Sequence, residues 1–264
     1  MKIKVVDSIM GSGKTSWAIQ HINDSDNKFI FITPFLDEVK RIRENCSDKK
    51  FKEPINFGEG KQDNLHHLLS NNDNIVSTHA LFRMSTDVTR ELINCGEYTL
   101  ILDEVMDVIE QVHLKKNDLE IMLGQELVRI EDGFLIWNED KMNVSSAYDN
   151  IKIMCLNKSL IVVNNTVLMW NFPVNIFSSF KEVYVLTYKF YSQIQRYYYD
   201  LHEVDYSYYT IENIDNKYNL IEKDLKIKEN VSHLKKNINI LVNDKINNIG
   251  ENEYSLSKSL YEKD

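Results

Sequence analysis

Five consecutive residues, Gly11-Ser12-Gly13-Lys14-Thr15, follow an apolar run rich in β-branched residues, Lys2 to Val6, and precede a helix-like segment, Lys14 to His21. Strand, glycine loop and helix in that order make an anion cradle. Glycines let the backbone curl until its N–H groups converge on phosphate oxygens, and the helix N-terminus adds a partial positive charge. Lys14 would reach the β and γ phosphates, and the Thr15 hydroxyl would ligate Mg²⁺. Contacts to the phosphates are expected along Ser8, Gly11, Ser12, Gly13, Lys14, Thr15 and Ser16. The full pattern GxxxxGK[ST] has glycine where this chain has Ser8, a residue still small enough for the turn. A second cluster lies in TLILDEVMD, Thr99 to Asp107. Its apolar strand would deliver Asp103 to the carboxyl edge of a sheet, where nucleotides bind. Asp103 would complete the Mg²⁺ shell, and Glu104 would orient and deprotonate the attacking water. Each motif alone has a plainer reading, as a ligand-free turn or as two acids capping the next helix. Together they serve one Mg-ATP, with Lys14, Asp103 and Glu104 as the catalytic set, and the paired acids favour hydrolysis over phosphoryl transfer to a small acceptor.

Such groups need a sheet to hold them. Phe29 to Thr33 (FIFIT) is an unbroken apolar run ending at Pro34, and Asn74 to Thr78, Tyr98 to Leu102 and Val183 to Thr187 are similar. Unbroken runs suit strands covered on both faces. Helices are expected over Lys14 to His21, over Asp37 to Glu44 and from His79. Strands alternating with helices imply an α/β fold with a parallel sheet. Between about 107 and 182 the pattern is less regular. Phe134 to Trp137 and Leu160 to Val163 read as strands and Asn164-Asn165 as a turn, so this stretch reads as an insertion. From 205 to 264 the composition shifts to Asn, Lys, Asp, Glu and Ile and reads as helix.

Composition bounds the rest. The 264 residues are 43% hydrophobic and 27% charged, with eight glycines and three prolines, which excludes collagen-like and linker-dominated chains. No apolar run reaches the ~18 residues of a membrane span, and the N-terminus lacks a secretory pattern. Cys46, Cys95 and Cys155 form no CxxC pair, so neither zinc nor a disulfide framework is expected, and a cytoplasmic location is. A net charge of −9 weighs mildly against non-specific nucleic-acid binding. Residues 40–61 run the other way, with Lys40, Arg41, Arg43, Lys49, Lys50, Lys52 and Lys61 against Glu44, Asp48, Glu53 and Glu59. That stretch fits a phosphate-contacting groove and a solvated helix face equally well. The tyrosine cluster from Tyr188 to Tyr209 fits core packing better than base stacking.

SIMGSGKT followed by DEVMD resembles the DEAD/DEAH-box-like helicases of superfamily two, of bacteriophage type, and the similarity runs over about residues 2 to 200. ITPFLDEVKRI (Ile32 to Ile42) and VSTHALF (Val76 to Phe82) resemble that family's single-strand contact motifs, and VLTY (Val185 to Tyr188) its coupling motif, matched at Thr187. The resemblance implies a RecA-like ATP-binding domain over 1–204, with a parallel sheet flanked by helices and an insertion at 107–182. It implies that 205–264 is a linker and the incomplete, partly helical start of a second domain. It also implies nucleic-acid contacts at Thr33, Pro34, Ser77, Thr78 and His79, coupling through Thr187, and ATP and Mg²⁺ as cofactors. The implied partners are a single strand, DNA ahead of RNA, and a second RecA-like domain in trans or in a longer chain. The family takes an arginine finger from its second motor domain, yet no arginine follows Arg196 here. About 60 residues after 204 are too few for a further domain of ~150. If the chain is phage-encoded, its place is the host cytoplasm. Two other readings stay open: a nucleoside or nucleotide kinase built on the same loop, and a non-catalytic, nucleotide-gated phage binding module.

Overall fold

A computed structural model of the chain describes residues 2–56, 60–115, 117–143, 147–164 and 166–226. The element order is β1 (Ile3–Asp7), α1 (Lys14–Asp24), β2 (Phe29–Thr33), α2 (Leu36–Asn45), α3 (Lys61–Ser70), β3 (Ile75–Thr78), α4 (His79–Phe82), α5 (Asp87–Gly96) and β4 (Thr99–Asp103). There follow β5 (Ile109–Val112), α6 (Asp118–Gly124), β6 (Val128–Glu131), β7 (Phe134–Trp137), α7 (Asp149–Leu156), β8 (Leu160–Val163) and β9 (Val167–Asn171). The series closes with β10 (Glu182–Thr187), α8 (Ile194–Leu201), β11 (Tyr206–Ile214) and β12 (Lys217–Glu222). The chain divides into two compact units, Met1–Asp224 and Leu225–Asp264, and all of these elements belong to the first.

Seven strands form the larger sheet in the order β12-β11-β1-β10-β4-β2-β3. From β11 to β3 the neighbours pair in parallel, whereas β12 pairs antiparallel with β11. The unbroken runs alternate between two covered faces, as strand geometry requires. Phe29 and Phe31 of β2 pack with Trp17, Ala18 and Ile22 of α1 and Val39 and Ile42 of α2. Ile30 and Ile32 face the other way, into a core shared with Leu65 and Leu69 of α3, Ile93 of α5 and the inner residues of the second sheet. That second sheet, β5-β9-β8-β7-β6, is wholly antiparallel.

These pairings overturn the expected RecA-like domain on a parallel sheet. The larger sheet is mixed, the stretch read as an insertion is an antiparallel sheet, and the segment read as helical after 205 is a β-hairpin. The cause is turn chemistry. Asp132 and Gly133, both at positive φ, join β6 to β7, and Asp215 and Asn216 do the same for β11 and β12. Two-residue turns of that shape reverse the chain, so the strands they join can only run antiparallel. Because β11 pairs with β1, residues 206–222 belong to the first unit and do not open a separate segment at 205. Of the other expectations, Asn165 of the proposed turn, Glu59 of the basic stretch and residues 227–264 of the tail lie outside the described residues. No helix among the described residues is long and apolar enough to cross a membrane.

Candidate functional site: the cleft at the end of the central strands

The glycine loop leaves β1 and enters α1 at Gly13, whose φ of 91° is open to glycine and strained for other residues. Ser8, at the loop's first position, is buried. Its Oγ accepts from Ile211 N at 3.0 Å and lies 2.8 Å from Thr210 Oγ1, while its own N–H donates to Thr187 O at 3.0 Å. Serine in place of glycine therefore fastens the loop to β11. Asp7, one residue earlier, is likewise buried, and its carboxylate accepts from the N–H groups of Lys189 and Phe190 and from Lys223 Nζ. Lys14 Nζ donates to Ser8 O at 2.8 Å and Ile9 O at 3.3 Å. The Ser12 hydroxyl is buried with no hydrogen-bond partner among the described residues.

Opposite the loop, β4 ends at Asp103, buried and accepting from Thr33 Oγ1 at 3.3 Å. Burial, followed by the charges of Glu104 and Glu38, pushes the Asp103 carboxyl up to about 6. Glu104 leaves the strand at φ 64°, a left-handed conformation unusual for a bulky residue. Its N–H donates to Leu186 O at 2.8 Å, and its Oε2 accepts from Thr187 Oγ1 at 3.3 Å. The turn that follows is held by Gln195, buried on α8, whose Oε1 accepts from Met106 N at 2.8 Å. His79 Nε2 donates to Asp103 O at 3.1 Å, and burial keeps its pKa below the usual histidine range.

A cleft of about 410 Å³ brings these groups together. Gly11, Gly13, Lys14, Thr15 and Ser16 line one side with Asp103 and Glu104, and Met10, Phe35, Glu38, Arg41 and Tyr218 complete the wall. The expected residues Thr33 and Ser77 are buried, Thr78 and His79 half-buried, and Pro34 exposed. Thr33, His79 and Thr187 each bond to one of the two acids, so they sit behind the cleft and not apart from it. Within the basic stretch Arg41 bonds Glu38, Lys40 lies 3.8 Å from Glu44, and Lys52 pairs with Asp73, so much of its charge is matched locally. The tyrosine cluster is largely core: Tyr198 and Tyr199 are buried, and Tyr199 packs on Phe177, Phe190 and Tyr206. Tyr191 and Tyr197 remain exposed.

Sequence reasoning missed Glu38, Gln195 and Tyr218, and placed Arg41 only within a basic stretch. Glu38 and Arg41 lie one helical turn apart on α2, a spacing that puts both on one face. Tyr218 reaches the loop through the β11–β12 hairpin, and only the Asp215-Asn216 turn signals that hairpin in sequence.

The donor set fits a magnesium nucleotide. An ammonium, the Thr15 and Ser16 side chains and a glycine-opened backbone line the cleft with three carboxylates, Glu38, Asp103 and Glu104, whose crowding a cation would relieve.

Comparison with known proteins reaches both sheets. Residues 109–170, from β5 through most of β9, match the family model described as the YonV middle domain. Over 277 aligned positions the chain is 43% identical to the SPbeta prophage-derived uncharacterized protein YonV of Bacillus subtilis (strain 168), covering 99% of this chain and 67% of that protein. The chain belongs to the YonV family. The segment matched by the family model is the antiparallel sheet, and the cleft is built from residues outside it.

Proposed function

We propose that the cleft binds Mg-ATP and hydrolyses it, with turnover coupled to single-stranded nucleic acid as in helicases and translocases. One observation carries this reading: Lys14 and Thr15 of α1 and Asp103 and Glu104 of β4 and its exit converge on the same cleft from segments far apart in sequence. The loop amides and Lys14 bind the phosphates. Thr15 and Asp103 would hold Mg²⁺, which would supply charge neutralisation at the phosphates. Glu104 orients and deprotonates water, with Thr187 fixing its carboxylate. Coupling is supported by the bonds from Thr33 and His79 to Asp103, since both residues head segments suited to contact a strand.

The test is ATP hydrolysis with and without single-stranded DNA and RNA, on wild type and Glu104→Gln. Stimulated turnover that disappears in Glu104→Gln is expected. Turnover indifferent to nucleic acid would remove the coupling. Phosphorylation of a nucleoside acceptor would make the protein a kinase, and binding with negligible turnover would make it a nucleotide-gated module. Lys14→Ala is expected to weaken ATP binding about 10- to 100-fold, the range of a charge-assisted hydrogen bond. Unchanged affinity by titration calorimetry would remove the site.

A further inference from the structure

The cleft wall includes an aromatic ring that hydrolysis does not require. Tyr218, on the edge strand β12, is half-buried, and its ring lies against Gly13. A Cβ built on Gly13 would stand 2.2 Å from Tyr218 Cε1 and 2.8 Å from Cδ1, so only glycine leaves room for the ring there. The backbone behind the ring is clamped. Tyr218 N donates to Gln20 Oε1 at 3.0 Å, and Gln20 Nε2 donates back to Tyr218 O at 3.0 Å. Lys223 Nζ, just beyond the same strand, donates to Asp7 O at 2.7 Å. A rigid flat surface thus stands beside the amides that would hold the phosphates.

We propose that Tyr218 is the base platform of the site, stacking the heterocycle of the nucleoside triphosphate whose phosphates lie in the glycine loop. This rests on the phosphate-site reading and extends it to the other end of the ligand. An aromatic face accepts any base, and larger rings overlap it better. ATP and GTP are therefore expected to bind with similar affinity, and CTP and UTP more weakly.

The experiment compares binding of Mg-ATP and of magnesium tripolyphosphate, which has no base, to the full chain by titration calorimetry. Tyr218→Leu keeps an apolar side chain against Gly13 but removes the aromatic face, and Tyr218→Trp keeps a face. Leucine is expected to weaken ATP roughly tenfold and leave tripolyphosphate within twofold of wild type, while tryptophan retains both. Equal weakening of both ligands by leucine would make Tyr218 a prop for the loop and overturn the platform. No change in either ligand would overturn it as well. If wild type binds neither, the phosphate site fails and the platform with it, whereas tripolyphosphate binding with an unaltered ATP response sinks the platform alone.

Discussion

In the proposed site, Asp103 sets stability against hydrolysis. Its carboxyl titrates at 3.8 when unperturbed and at about 6 in the fold, because burial and the neighbouring acids disfavour its charge. The folded state therefore holds the proton more tightly than the unfolded state. Stability is lost as pH rises from about 4 to 6, and the cost is present in full at neutral pH. Asp103→Asn is expected to stabilise the ligand-free protein by about 1–3 kcal/mol at pH 7.5, read from the urea midpoint. The gain should shrink toward zero near pH 4, and hydrolysis should be lost. An equal gain at both pH values would show that charge is not the cause. Ser8 gives the opposite lesson about consensus. Ser8→Gly restores the glycine of the general pattern, yet it removes the bonds to Thr210 and Ile211. A loss of about 1–2 kcal/mol is expected by calorimetric unfolding. Lys14, Thr15, Asp103 and Glu104 were legible as residues of one cleft because each pair lies in a short run of neighbouring residues. Glu38 was not, and Arg41 was legible only as part of a basic stretch, because packing, not a motif, brings them to the cleft.

At the scale of elements, the β11–β12 hairpin is the part that departs most from expectation. Its sequence reads as helix: Tyr206 to Ile211 are all half-buried, so no alternation of apolar and polar residues marks a strand. The long unbroken strands were legible for the converse reason. Phe29–Thr33, buried throughout, can be little else, and Phe134–Trp137 and Leu160–Val163 also stand where expected. β5 and β6 are four residues each with charged outward positions, too short and too polar for a pattern to emerge. The contact between hairpin and loop is testable as a pair. Gly13→Ala meets both its positive φ and the Tyr218 ring and is expected to cost about 2 kcal/mol or more. Adding Tyr218→Ala should recover the steric part alone, a coupling above about 0.5 kcal/mol in a double-mutant cycle. Strict additivity would mean that the ring and Gly13 do not touch.

At the scale of the molecule, β1 lies between β10 and β11, and the second sheet fills the sequence between β4 and β10. A chain cut after residue 224 is expected to unfold cooperatively and to bind ATP. A cut after 204 would leave β1 at an edge, with the Ser8 hydroxyl without Thr210 and Ile211 and Asp7 without Lys223, and is expected to do neither, as read by calorimetry and nucleotide titration. Cooperative folding of the shorter chain would show the hairpin to be an accessory. The strand order also has a consequence in time. The glycine loop is made well before the strands that flank it, since Lys4 pairs with Tyr184 and Ile3 with Tyr206, far downstream in the chain. At roughly 5–20 residues per second, the loop waits on the order of ten seconds or more for its neighbours. If the proposed site holds, a nascent chain is expected to bind no nucleotide until translation has passed the hairpin.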